Sequence, residues 1–359
     1  MPPSVRQALR AVSSLRLTVA LLSLGLLMIF AATLDQVNLG VWGVQQKYFH
    51  SFLVWGRVRG IALTVPVFPG GYLLGGLLIV NLVAAHFARF RLTAAKAGIW
   101  LTHVGLILLL VGEGVSGALQ RDSQMRLNVG QTSRYSESFR DYELAITDPS
   151  DPRFDRVTSI PARQLALAKP IHSPALPFAV QTVAYFPNVR PAAGRGENDA
   201  DVPAAELQFR GPQGVIGTAM VSAELAEPQS LSWKGRTWQV ELRSARYYRP
   251  FRLSLLRFTH DVYPGSDIPK NFASTVRVVS DDGRDDRRVV ISMNRPFRYR
   301  GLAIYQAGYA NDDHTSVLEV VHNPAWPVPY LSCGLIGAGL VAQFGLQLAK
   351  FGRRSRRKS

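Results

Sequence analysis

The chain has 359 residues, with 41 Lys and Arg against 25 Asp and Glu, and a formal net charge of +16. Its mean hydropathy of +0.05 is high for a soluble protein, because apolar blocks alternate with polar, charged sequence. The single cysteine, Cys333, excludes an intrachain disulfide and CxxC redox chemistry, and basic residues clustered at the ends of the apolar blocks point to a lipid bilayer and away from nucleic acid.

The first block, "LRLTVALLSLGLLMIFAATL" (15–34), has the length a bilayer requires and follows Arg6, Arg10 and Arg16. It is too long for the apolar core of a signal peptide and lacks a clear small-residue cleavage site before Asp35, so a retained helix is expected. A short loop, 35–66, contains "LGVWGVQQKYFHSFLVWG" (39–56), whose aromatics and His50 suit a helix lying in the membrane interface. The second block, "VFPGGYLLGGLLIVNLVAAHFA" (67–88), opens on Pro69-Gly70-Gly71 and is followed by Arg89, Arg91 and Lys96. The third, 98–118, is "GIWLTHVGLILLLVGEGVSGA". The fourth, 328–349, precedes the basic tail "KFGRRSRRKS", and Cys333 within it reads as a small packing residue.

Basic clusters before the first block, between the second and third, and after the fourth fall on one side of four spans. The expected fold class is therefore a membrane protein with four transmembrane α-helices and a large β-rich extracytoplasmic domain. Residues 1–118 form an N-terminal membrane part, 119–327 the extracytoplasmic domain, and 328–359 the last helix and a cytoplasmic tail. Both termini are then cytoplasmic.

Within 119–327, "DYELAIT" (141–147), "FAVQTVAYF" (178–186), "AAELQFRG" (204–211) and "TWQVELRSARYY" (237–248) alternate or are rich in strand formers. "STVRVVSDDGRDDRRVVISMN" (274–294) reads as a hairpin turning at Asp282-Gly283. "GLAIYQAGY" (301–309) and "SVLEVVHNP" (316–324) complete the series, and "RPAAGRGENDADVP" (190–203) has loop composition. This region carries no HExxH, GxSxG or phosphate loop; His172, His260, His314 and His322 are scattered singly, and "NDDH" (311–314) matches no standard cation loop. A scaffold that binds or positions another protein fits it better than a catalytic domain.

Chemistry concentrates in the spans, where ionisable groups are costly. His86 lies near the end of the second span and His103 near the start of the third, so two antiparallel neighbours carry imidazoles at similar depth. Bis-histidine haem ligation requires that arrangement, and Arg89, Arg91 and Lys96 stand where propionates would meet cations. The competing reading leaves His86 at the interface and His103 bonded to a neighbouring helix; an iron ligand from a partner subunit is a further possibility. Glu113, ten residues after His103 and about 15 Å along the axis, is out of its reach and reads as an interfacial carboxylate.

The order and spacing of five segments resemble the ResB (CcsB) family of cytochrome c biogenesis proteins. These are "SLRLTVALL" (14–22), "LLIVNLVAAHFARF" (77–90), "GIWLTHVGLILLLVGEGVSG" (98–117), "MRLNVGQTSRYSE" (125–137) and "PFRYRGLAIYQAGY" (296–309). "AATLDQ" (31–36) departs from the Gly-Thr and Pro that the family commonly places before the Gln. The resemblance implies a multi-pass protein of the cell inner membrane. It implies a System II subunit that helps move haem across the membrane and present it to apocytochrome c. It also implies a separate ResC (CcsA)-type partner, with which the chain would act jointly as a haem lyase and not as an enzyme by itself. The expected cofactor is haem b. The family's transmembrane haem histidine matches His103 first and His86 second, with Arg89 and Arg91 as cofactor-binding residues. The alternative is a membrane-anchored scaffold that recruits apocytochrome without touching haem.

Overall fold

A computed structural model describes residues 3–57, 64–89, 93, 96–189, 201–265, 269–310 and 314–356. The chain divides into two compact units, Met1–Gln120 with Asn323–Ser359, and Arg121–His322. The first is helical and apolar and the second is β-rich, so the protein is built as a membrane protein with a large β domain.

In the helical unit a short amphipathic helix, α1 (Pro3–Val12), leads to α2 (Leu15–Val44). Ser14 caps α2 by accepting a hydrogen bond from the Leu17 amide at 3.2 Å. The helix runs on past residue 34, because Leu34, Val37 and Leu39 keep the segment apolar and no breaker intervenes before Gly40. There φ is +64°, a left-handed value that glycine adopts without a Cβ clash, and the helix kinks. A π-helical turn, Gln45–Phe49, ends it. The segment expected as an interfacial loop is thus partly helix, followed by a hairpin of β1 (Leu53–Arg57) and β2 (Thr64–Pro69). Leu21, Met28, Val44, Tyr48, Val54 and Leu74 form the buried core of this half.

The second predicted span becomes α3 (Gly71–Arg89), and the third and fourth become α4 (Ala97–Leu119) and α6 (Val328–Arg356). Among the described residues, three helices are long and apolar enough to cross a bilayer: Leu15–Phe49, Ala97–Leu119 and Val328–Gly352. The apolar stretch of α3, Gly71–His86, is shorter, about 24 Å against a hydrocarbon thickness of about 30 Å.

α4 and α6 pack antiparallel along a heptad-spaced glycine seam. Gly98, Gly105 and Gly112 are all buried. A Cβ at Gly98 would lie 2.6 Å from the backbone of Gly339 and Gln343, one at Gly105 would lie 2.7 Å from Ile336, and one at Gly112 would collide with Val328. Side chains are absent where the backbones need to approach, which is how helices associate when lipid removes the hydrophobic driving force. At the far end of the seam Asn323 donates to Ser116 Oγ at 3.1 Å and to Gln120 Oε1 at 3.0 Å.

The β domain is antiparallel throughout its described pairings. Its first strands are β3 (Arg121–Asn128), β4 (Thr132–Asp148) and β5 (Arg156–Pro161), followed by a single helical turn, α5 (Ala162–Leu165). Next come β6 (Ala179–Phe186), β7 (Ala204–Gly211), β8 (Gly214–Ser222), β9 (Gln229–Trp233) and β10 (Arg236–Val262). The series ends with β11 (Pro269–Ser280), β12 (Asp286–Ser292), β13 (Phe297–Tyr299), β14 (Leu302–Ala310) and β15 (Thr315–His322). The main sheet runs β12-β11-β10-β4-β3-β15-β14-β13, with β5 on β4 and β9 on β10; β6-β7-β8 form a second sheet.

Two hydrophobic cores share β10 as their spine. Trp238, Val240 and Leu242 enter one, against Phe178, Leu207 and Phe209. Phe251, Leu253 and Leu255 enter the other, against Leu127, Val276, Ile304 and Leu318. Register shifts between Ser244/Arg246 and Tyr248/Leu253 bend β10 between them, as bulges do. The expected 274–294 hairpin forms as β11–β12, with Gly283 at φ +68° in its turn. Within "YRGLAIYQAGY", Arg300 and Gly301 have φ of +47° and +78° and make the two-residue turn from β13 to β14. Asp282 joins the two turns, accepting from Arg300 Nη2 at 2.8 Å and from the Arg284 amide at 3.2 Å.

Two outcomes follow. Gly98→Leu should lower the thermal midpoint of the purified protein in detergent by several degrees, because the clash is with backbone, whereas Gly75→Leu, with nothing within 4 Å, should not. Hydrogen bonds from Ser280, Arg300 and the Arg284 amide hold the Asp282 carboxyl at about 2, below its ordinary 3.8. Its contribution to stability is therefore complete above the unfolded value and lost as pH falls through about 2. The midpoint gap between wild type and Asp282→Asn should stay constant from pH 7 to 5 and close by pH 2.

Candidate haem-ligand site

His86 and His103 meet. His86 lies three residues before the end of α3, and His103 lies on the second turn of α4. Their ring centroids are 5.4 Å apart with an interplanar angle of 66°. His86 is 6% exposed, and it also packs edge-on against Trp100, centroid to centroid 4.2 Å. Trp100 precedes His103 by three residues, so helical geometry puts both on one face of α4. The Trp100 Nε1 donor is buried and has no hydrogen-bond acceptor among the described residues.

The tautomer of His103 follows from its backbone contact. Nδ1 lies 2.8 Å from the Ile99 carbonyl. A carbonyl only accepts, so Nδ1 carries the proton and the lone pair of the neutral ring resides on Nε2. An Nδ1–H held by a backbone carbonyl is the usual outer contact of a metal-ligating histidine.

One and a half turns before His86, Asn81 is 2% exposed and fully engaged. It donates to Val12 O at 2.5 Å and to Ser14 O at 3.2 Å, and accepts from Thr18 Oγ1 at 2.6 Å. These bonds tie α3 to the start of α2 and so determine the depth of His86. Neither Trp100 nor Asn81 was singled out from the sequence, although Trp100 is legible at helical spacing from His103.

Arg89 closes α3, but its side chain lies outside the described residues, as does the whole of Arg91. Lys96 is exposed immediately before α4. Glu113 is also exposed, and at ten residues from His103 it takes no part in the pair. His50 stacks on Tyr72 at 5.7 Å, at the start of α3, and its Nδ1 lies 3.2 Å from Gln46 Nε2.

In the β domain His172, His314 and His322 are exposed, and His260 packs on Tyr309 at 4.3 Å. Of "NDDH", residues 311–313 lie outside the described residues. Among the described residues no group of three or more His, Cys, Asp or Glu is placed to hold a metal. Motif residue Gln306 is instead structural: Ser274 donates to its Oε1 at 2.6 Å, and its Nε2 donates to Gly308 O at 2.8 Å.

Comparison with known proteins accords with this architecture. Protein NrfI of Wolinella succinogenes is 24% identical over 274 residues, which cover 74% of this chain and 29% of that protein. The chain therefore spans less than a third of that relative. The model of the ResB-like family matches residues 83–317, from just before His86 into the start of β15, more than half of the chain. On that match, the chain belongs to the ResB-like family.

Proposed function

We propose that this chain is the haem-holding subunit of a cytochrome c maturation complex. Membership of the ResB-like family supports a role in cytochrome c biogenesis. The observation that carries the finer reading is the meeting of His86 and His103, two imidazoles on adjacent apolar helices, one in the tautomer that leaves Nε2 able to ligate. The residues present fit haem b. His103 and His86 would hold the iron, in the first instance as a pair. Trp100 would close one side and offer its indole N–H. Arg89 and Arg91, with Lys96, would supply cations for the propionates. Haem, when bound, supplies the vinyl groups that cysteine thiols of an apocytochrome c add to. The chain's own contribution is to exclude water, keep His103 protonated at Nδ1 and orient both rings.

In this reading four helices cross the cell inner membrane, with α3 as the shortest. Both termini are cytoplasmic, and residues 121–322 lie outside. Support comes from the antiparallel α4–α6 seam, which brings the start and the end of the β domain to the same end of one helix pair. A separate ResC (CcsA)-type membrane protein completes the path, and apocytochrome c is the acceptor.

Purified with its membrane partner and reduced, the wild-type complex should show a b-type haem spectrum. The double variant His86→Ala/His103→Ala should lose it while retaining the partner. Unchanged absorbance in that variant would assign haem to the partner and leave this chain a scaffold. Reporter fusions after Ser359 and near Gly194 should report opposite faces of the membrane; the same face for both would overturn the four-span topology.

A further inference from the structure

The β domain contains a hollow of about 650 Å3 that the reading above leaves unused. Arg121, Arg140, Arg163 and Arg246 line it, against two carboxylates, Asp141 and Glu143. The charges are not equally available. Glu143 is neutralised from behind, accepting from Arg243 Nε at 3.0 Å and from Ser159 Oγ at 2.6 Å. Arg246 is engaged by Glu137 at 3.0 Å and lies over the Tyr135 ring. Asp141 is exposed and accepts from Ser138 and from Tyr247 Oη. Arg121 and Arg163 are exposed and have no carboxylate partner among the described residues. The hollow therefore presents uncompensated guanidinium charge.

Its remaining wall includes the rings of Tyr142, Tyr185 and Tyr247. Guanidinium forks match carboxylates two bonds at a time, and tyrosine offers flat apolar faces with a polar rim. The volume falls in the range of small-molecule sites, about 300–1,000 Å3, and suits a compact ligand better than a protein surface. Arg121 is also the first residue of the β unit, directly after Gln120 in the sequence.

We propose that this arginine- and tyrosine-lined hollow binds the carboxylate groups of a flat dicarboxylate, the porphyrin itself, after it leaves the membrane. The inference rests on the haem reading of the previous section. Arg121 and Arg163 are its anion ligands.

The test uses the full-length protein carrying His86→Ala and His103→Ala, in phosphatidylcholine nanodiscs. The probe is metal-free protoporphyrin IX, followed by fluorescence anisotropy with empty discs subtracted. Arg121→Gln/Arg163→Gln should weaken binding about tenfold or more, as expected for losing two charge-assisted contacts. Protoporphyrin IX dimethyl ester should bind the parent protein no more tightly than it binds that variant. Arg284→Gln/Arg288→Gln, at the exposed β11–β12 hairpin, should change nothing. Equal acid affinity with and without Arg121 and Arg163, ester binding as tight as acid binding, or an equal loss in the hairpin control would each overturn the site. Because the probe has no iron and the histidines are absent, this result is independent of the haem spectrum: a colourless wild-type complex overturns the haem reading, and failure here overturns only the hollow.

Discussion

The close approach of α4 and α6 is the constraint on which the rest depends. These helices are separated in sequence by the entire β domain, yet their backbones meet at Gly98 and Gly339. In lipid, apolar side chains gain little by leaving their surroundings, so contact must come from dispersion between closely fitted backbones and from a few polar bonds. Heptad-spaced glycines on α4 supply the first, and Ser116, Gln120 and Asn323 supply the second. Thus Gln120 and Asn323, the residues that bound Arg121–His322, are joined by a hydrogen bond. The β domain is an insertion between two paired helices.

Inside that insertion, β10 performs the corresponding task. A strand of 27 residues cannot stay straight in a twisted sheet, and its bulges let it leave one core and enter another. Several polar groups taken into this frame are answered. Glu143, with 8% of its side chain exposed, receives Arg243 and Ser159, and Ser274, Gln306 and Ser316 bond one another. A buried charge is tolerated only when such partners are present. Charge left uncompensated, at Arg121 and Arg163, is found on exposed side chains bordering a concavity.

The histidine pair depends on the helical unit in the same way. His103 is positioned by its own helix, through Ile99 O. His86 is positioned by α3, whose depth is set by Asn81 bonding to the chain just ahead of α2. Two independent polar anchors therefore converge on one ring contact. Imidazoles in an apolar unit are retained there against an unfavourable transfer energy.

The sequence by itself determined the apolar blocks, the basic clusters, the β character of the middle region and the depth match of His86 and His103. Each of these is a property of local composition or of helical rise. The turn at Gly283 was equally legible, because left-handed backbone favours glycine. Only the tertiary structure decided that α2 continues past residue 34 to a kink at Gly40, that β10 spans two cores, and that Trp100 lies edge-on to His86. It also decided that Gly98, Gly105 and Gly112 face α6 and that four arginines line one hollow. Those facts are set by pairings between residues far apart in the chain, and the period of a segment records which face is apolar without recording what that face will meet.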